Sequence, residues 1–172
     1  FLLADGRTVT APDMAKDQRT LKAEPVAPWP GAPLEPTGNP LLDGVGPAAW
    51  VERANHPEHT LDGLPMIVPM RVATDFTVAK RDPDPRGMDV IGADGETAGV
   101  VSDLWVDRAE PQVRYLQVEV PTATGSRSVL VPMTLARVHS WRRRVEVSSL
   151  LAAQFADAPG LSNPDQVTLA EE

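Results

Sequence analysis

The stretch from residue 90 to residue 132 constrains the fold more than any other part of this chain. It reads VIGADGETAGVVSDLWVD, then RYLQVEV, then SRSVLVP, three runs rich in β-branched and large apolar residues separated by turn chemistry. Ala93-Asp94-Gly95-Glu96 is an Asp-Gly hairpin signal, because glycine accepts the positive φ that such turns require. Gly99 then lets the backbone pass close to a neighbour ahead of a strand over residues 100–106. Tyr115, Gln117 and Glu119 alternate with Leu116, Val118 and Val120, so the period of two buries one face and wets the other. Residues 121–126 are expected to form a loop that returns the chain to Val129-Leu130-Val131-Pro132. Short antiparallel strands with no helical pattern between them predict a mostly β fold, a small curled antiparallel sheet or barrel with few short helices.

At 172 residues the chain is one domain, or one domain with an ordered arm, and it buries enough surface to need no staple. With no cysteine it has no disulfide, thiolate metal site or cysteine nucleophile. A net charge of −8 argues against nucleic-acid binding, which calls for a basic stripe. Eighteen prolines are about twice the ordinary ~5% share, which predicts a loop-rich chain. No apolar run in the sequence is long enough to span a bilayer, and its start at Phe1, without a basic n-region, does not read as a signal peptide. A start at Phe rather than Met is expected of a fragment or a processed chain.

Residues 1–10 form a second Asp-Gly hairpin pattern around Asp5-Gly6. Residues 11–48 then carry Pro12, Pro25, Pro28, Pro30, Pro33, Pro36, Pro40 and Pro47. Each proline lacks an N–H and biases its predecessor to extended geometry, so neither helix nor central strand is sustained. Trp29, Leu34, Leu41, Leu42 and Val45 are apolar anchors that a disordered linker would not carry. The two readings are such a linker and an extended arm lying on a partner's surface; the anchors favour the arm. The expected division is a hairpin and proline-rich arm over 1–48 and a β domain over 49–172. Pro47 suits the first position of one or two helical turns through Arg53. Residues 55–63 read as a polar loop, and 66–70 and 72–78 as strands interrupted at Pro69. Residues 80–87 read as a charged, proline-broken loop. After Leu135–Val138, a tight turn at Ser140-Trp141-Arg142-Arg143 leads to Val145-Glu146-Val147. Ser148 or Ser149 is placed to cap a short helix through Phe155, and 166–169 reads as a last strand.

The motif GxxxGxVxDxWVD, met here from Gly95 to Asp107, followed by a strand and an LVP segment, resembles the PRC-barrel. The upstream block PTGNPLLDGVGPAAWV (residues 36–51) is similar to the region before the barrel in H subunits of purple-bacterial photosynthetic reaction centres. The resemblance implies a PRC-barrel-like domain that binds no pigment itself. Bacteriochlorophyll, bacteriopheophytin, quinone and non-haem iron would be held by partner L and M subunits, with antenna proteins and the membrane surface as further neighbours. It also implies the cytoplasmic face of the photosynthetic inner membrane and an upstream transmembrane anchor that this chain does not contain. A free-standing PRC-barrel adaptor is the alternative, disfavoured by the 36–51 block.

Asp103 and Asp107 bracket the DLWVD strand, and Asp107, Glu110 and Arg114 place two carboxylates and a guanidinium within eight residues. On residue types alone this is a solvated strand end whose ion pairs contribute under ~1 kcal/mol, and a paired-acid hydrolase finds no fixed separation in it. The resemblance implies instead a proton-input network beneath a secondary quinone, in which clustered acids raise one another's pKa. A unit charge about 10 Å away at an effective dielectric of about 20 contributes roughly 1.7 kcal/mol, more than one pKa unit. Arg108, where an apolar residue is expected, is a cation placed to depress Asp107. In the loop N-H-P-E-H-T-L-D-G, His56, His59 and Asp62 read either as exposed polar side chains or as proton-collecting groups, since imidazole titrates near neutrality. Leu64 and Met66 stand where the family has histidines, and Pro57 disrupts the helix a metal-binding HxxH pair would need. Arg142, Arg143 and Arg144, with Lys80 and Arg81, read as solvated turns or as contacts for anionic headgroups. Trp50, Trp105 and Trp141 read as core or interface anchors. No phosphate loop, Ser-His-Asp order or dinucleotide motif is present.

Overall fold

Strand β5 (Thr97–Asp107) carries the domain, because three other strands pair along it. In the computed structural model, which describes residues 1–2, 6–11, 18–46, 49, 53–123 and 125–171, the chain divides into two units, Phe1–Glu52 and Arg53–Glu172.

Within the second unit, β4 (Asp89–Ile91) and β5 form the hairpin expected from Ala93-Asp94-Gly95-Glu96. Gly95 adopts φ +81° and donates its N–H to the Gly92 carbonyl at 3.0 Å. On its other edge β5 pairs antiparallel with β6 (Gln112–Thr122), from Val100 opposite Glu119 to Asp107 opposite Gln112. Gly99 makes that approach possible: a Cβ there would stand 2.3 Å from the Glu119 carbonyl oxygen. β6 continues into β7 (Gly125–Pro132), and β3 (Ile67–Pro69) pairs with the far end of β5, Ile67 facing Asp107. The hairpin of β8 (Arg137–His139) and β9 (Arg144–Glu146) joins through a parallel β4–β9 pairing. The ladder order is therefore β7-β6-β5-β4-β9-β8, a mostly antiparallel sheet with one parallel step.

One face of this sheet wraps a core that includes Val90, Val101, Leu104, Val106, Leu116, Val118, Val129, Val131, Val145 and Phe155. The alternation in β6 accounts for its share, since Leu116, Val118 and Val120 are buried. The opposite face is not simply wet. Trp105 is fully buried there against Ile67 and Val167, with Tyr115, Leu130 and Leu161 packed around them.

Four local expectations are corrected. Residues 121–126 are not an open loop: Pro121 pairs with Ser126 and Thr122 with Gly125, so the hairpin is tight. Proline is tolerated because β6 beyond Glu119 has left β5 and keeps only β7 beside it. Residues 72–78 form turns rather than a strand, with Val72 and Ala73 N–H groups donating to the Pro69 carbonyl, while Phe76 and Val78 pack on the core. Neither Ser148 nor Ser149 caps the short 3-10 helix Ala152–Asp157; its N-cap is Leu151, and Asp94 from the β4–β5 turn accepts from the Ala152 N–H at 3.2 Å. Residues 166–169 lie outside any strand, joined to the body by a bond from the Leu169 N–H to the His56 carbonyl at 3.1 Å.

In the first unit, the flanks of the Asp5-Gly6 pattern pair, Leu2 opposite Thr8, with Gly6 at φ +83°; Asp5 lies outside the described residues. The proline-rich segment makes a small ribbon, β1 (Ala23–Pro25) with β2 (Leu34–Pro36), and one helical turn, α1 (Pro40–Asp43). Asn39 caps α1 by accepting from the Leu41 N–H at 3.0 Å, and Gly44 closes it in the left-handed conformation. Lys22 and Asp43 tie ribbon to turn at 2.5 Å. Trp29, Leu34, Leu41 and Leu42 are exposed, and Val45 is buried. The helical turns expected after Pro47, including Trp50, fall largely outside the described residues.

Candidate functional site

Asp107, Glu110 and Arg114 come together where β5 ends and the chain turns into β6. The turn forms because the Asp107 side chain accepts from the N–H groups of Ala109 (2.8 Å) and Glu110 (3.0 Å), an Asx-type closure suited to aspartate. Arg114 on β6 then donates from Nε (3.0 Å) and Nη2 (2.8 Å) to Asp107 Oδ2. The Asp107 side chain is 2% exposed and that of Glu110 72%, so one acid is interior and the other faces water. Glu110 Oε2 receives Arg114 Nη2 at 3.4 Å and Gln112 Nε2 at 3.0 Å.

Burial raises the Asp107 pKa, but the Glu110 N–H, the Arg114 guanidinium and the Ala109 N–H together outweigh it and leave the carboxyl below its usual range. For Asp107 this runs opposite to the expectation that clustering raises its pKa. Arg108 is not the cause of the depression: its Nη1 donates to the Pro65 carbonyl at 3.2 Å. Asp107 is thus an ionised anchor that fixes Arg114, and Glu110 is the accessible carboxylate of the pair.

The Arg108 contacts link this turn to the loop of His56, His59 and Asp62. The Arg108 N–H donates to the Met66 carbonyl (2.9 Å), and the Met66 N–H donates to that of Glu58 (2.8 Å). Around Asp62-Gly63 the chain reverses, with Gly63 at φ +76° and a single bridge between His59 and Pro65. His56, His59 and Asp62 are exposed, and His56 Nδ1 lies 3.1 Å from the Pro57 carbonyl. Among the described residues no group of three His, Asp or Glu is arranged to hold a metal ion.

Asp103 belongs to a second polar cluster that residue patterns did not indicate. Arg71 Nη1 donates to Asp103 Oδ2 (3.1 Å) and Gln117 Oε1 (3.2 Å), and Nη2 to Asp165 Oδ1 (2.9 Å) and the Pro164 carbonyl. Gln117 also accepts from the Trp105 indole at 3.1 Å and donates to Glu119 Oε1 at 3.2 Å. The Ser128 hydroxyl, more than any other contact, holds the Glu119 carboxyl below its usual range. Only the period of two in β6 hinted that Gln117 and Glu119 share a face; Arg71 and Asp165, 94 residues apart, left no local signal. A separate, mostly apolar cavity of about 430 Å³ is lined among others by Phe76, Leu104, Val113, Leu116 and Met133, with Thr77, Asp82 and Gln112 as polar members of its wall.

Residues 78–153, which carry the mostly antiparallel ladder from β4 to β9, match the family model of the PRC-barrel domain. Residues 1–72 match the model described as the photosynthetic reaction centre, H-chain N-terminal region. With these two matches in this order, the chain belongs to the reaction-centre H-chain family, subunits of a membrane-associated photosynthetic complex. Among the described residues no helix is long and apolar enough to cross a membrane.

Proposed function

We propose that this chain caps the cytoplasmic side of the L and M subunits of a reaction centre, stabilises them, and helps deliver protons to the secondary quinone. The observation that carries the proton role is the Asp107–Arg114–Glu110 cluster at the end of β5, in a chain whose first 72 residues match the H-chain model. Pigments, quinones and non-haem iron belong to the partners, and the electron-transfer chemistry is theirs; this subunit has no turnover of its own.

Within that role the residues divide the work. Asp107, ionised and buried, positions Arg114. Glu110 is the group that takes up and passes on a proton, because it is accessible and, among the described residues, its carboxylate is held by the outer guanidinium nitrogen and Gln112. His56, His59 and Asp62 collect protons at the surface, on a loop tied to Glu110's turn through Met66 and Arg108. A free-standing PRC-barrel adaptor leaves the match over residues 1–72 without a purpose.

The test is Glu110→Gln in the assembled reaction centre, followed by flash-induced electron transfer against pH. The amide keeps the shape and cannot carry a proton near neutral pH. The second, proton-coupled transfer to the secondary quinone slows, while the first transfer to the primary quinone is unchanged because it consumes no proton. Unaltered second-transfer rates between about pH 6 and 9 would show that Glu110 is surface decoration.

A further inference from the structure

The tip of the β8–β9 hairpin is chemically unlike the rest of this acidic chain. Residues 137–146 (RVHSWRRRVE) hold four arginines and one glutamate, a formal +3 within a chain of −8. The reversal is made by the 3-10 turn Ser140–Arg142 and closed by Arg143, a non-glycine residue held at positive φ (+49°). β8 is the last strand of the ladder, so this tip lies at the sheet's edge.

Trp141 stands at this tip 75% exposed, whereas Trp105 is fully buried. The Arg142 guanidinium lies 4.2 Å from the centroid of the Trp141 ring, so cation and aromatic form one unit. Arg142 reaches Glu146 only at 4.0 Å, while Arg144 and His139 take up that carboxylate at closer range. Arg143 forms no ion pair among the described residues. Charge on an edge strand protects against edge-to-edge pairing, which accounts for arginines along the edge but not for a large indole held in water. An exposed indole flanked by arginines suits the boundary between headgroups and acyl chains, where the ring is half dry and the cations meet lipid phosphates.

We propose that the Trp141–Arg142–Arg143 tip is a peripheral docking point for an anionic lipid surface. The Arg142 and Arg143 guanidinium groups pair with headgroup phosphates, and the Trp141 indole inserts at the interface. Charge complementarity selects the occupant, because the body of the chain is itself acidic and is repelled by the same surface. The inference rests on this hairpin alone, so it stands or falls separately from the role of Glu110.

The experiment is co-sedimentation of the 172-residue chain with vesicles of phosphatidylcholine alone or with about a third phosphatidylglycerol, at low and high salt. Binding is expected to the mixed vesicles only and to weaken with salt over the Debye range. Arg142→Gln with Arg143→Gln is expected to lower the partition coefficient by about fivefold per arginine, and Trp141→Ala to lower it further. Lys80→Gln with Arg81→Gln changes the net charge equally at another basic pair and is expected to leave binding unchanged. Circular dichroism confirms that each variant is folded. Three outcomes overturn the proposal: no binding to either vesicle, equal binding to both, or equal losses from the tip and the Lys80–Arg81 variants. The first of these, with capture of the tip by an acidic protein surface, would assign the patch to a protein partner instead.

Discussion

Two acids three residues apart serve different ends because only one of them is interior. Asp107 holds four donors, two of them backbone N–H groups that close the β5–β6 turn. Asp107→Asn turns an amide N–H₂ toward at least one of those donors, and is expected to destabilise the chain by about 1–3 kcal/mol, toward the lower end because Arg114 is partly solvated. The Asp107 folded-state pKa is depressed, so its contribution is complete above the unfolded value of about 3.9 and is lost as pH falls through the folded one. Urea midpoints measured from about pH 6 to pH 2 therefore fall less steeply on the acid side in the variant; identical acid limbs would remove Asp107 from the stability of the turn. Glu110→Gln, on an exposed side chain, is expected to move the midpoint by less than about 0.5 kcal/mol. Gly99→Ala is the opposite kind of change: its methyl meets the Glu119 carbonyl, so β5 and β6 must part at an expected cost of about 1–3 kcal/mol. Gly99, Asp107, Glu110 and Arg114 were legible in the sequence because each acts within a few residues or across one hairpin. Arg71, which gathers Asp103, Gln117 and Asp165 from three distant segments, was not, because nothing local records a contact made only by tertiary folding.

Among the elements, those with their own turn chemistry were readable and those held by packing were not. Asp94-Gly95 marked the β4–β5 hairpin, and the alternation in β6 marked its buried face. Residues 72–78 look like a strand by composition, yet their N–H groups turn back on Pro69 and their apolar side chains reach the core without a ladder. Residues 159–171 mislead in the same way: they cover the face that alternation predicts to be wet, with Leu161 and Val167 over Trp105. Glu171 holds this segment by accepting from the Ser162 N–H (2.8 Å), the Ser162 hydroxyl (2.6 Å) and the Thr168 N–H (2.9 Å). Burial opposes ionisation of Glu171, but these donors prevail and bring its pKa down to about 2. The segment's stability from this source is full above the unfolded glutamate value of about 4.3 and is lost as pH falls toward 2. Glu171→Gln is expected to speed hydrogen exchange at 162–169 near neutral pH while the β5–β6 amides stay protected. Uniform acceleration through both regions would mean that the segment is part of the sheet's own cooperative unit.

For the molecule as a whole, the contrast between its two units decides how it meets a partner. Among the described residues, those of 53–171 bury two apolar clusters, whereas those of 1–52 make a short ribbon, one capped turn and the Lys22–Asp43 pair. Three-residue strands are too short to be stable through their own pairing, and among the described residues of this unit Trp29, Leu34, Leu41 and Leu42 face solvent, Leu41 at 78% and Leu42 at 84% exposed. Apolar side chains displayed in series along a proline-stiffened segment are what an arm needs to lie on another subunit, and the ordering entropy is already reduced by the fixed φ of each proline. In the free chain, limited chymotrypsin digestion is therefore expected to cut after Leu41 or Leu42 first, since Pro30 blocks the bond after Trp29, and to leave a resistant fragment containing residues 53–172. In the assembled reaction centre the same bonds are expected to resist, because Trp29 and the leucines would then be covered by the partner. Protection reports burial of the arm only if the core fragment is equally resistant in both states, so the two rates are measured in one digestion. Cleavage of the arm at the same rate in the free chain and in the complex would show that these side chains have no partner there, and would remove the arm from the subunit's means of attachment.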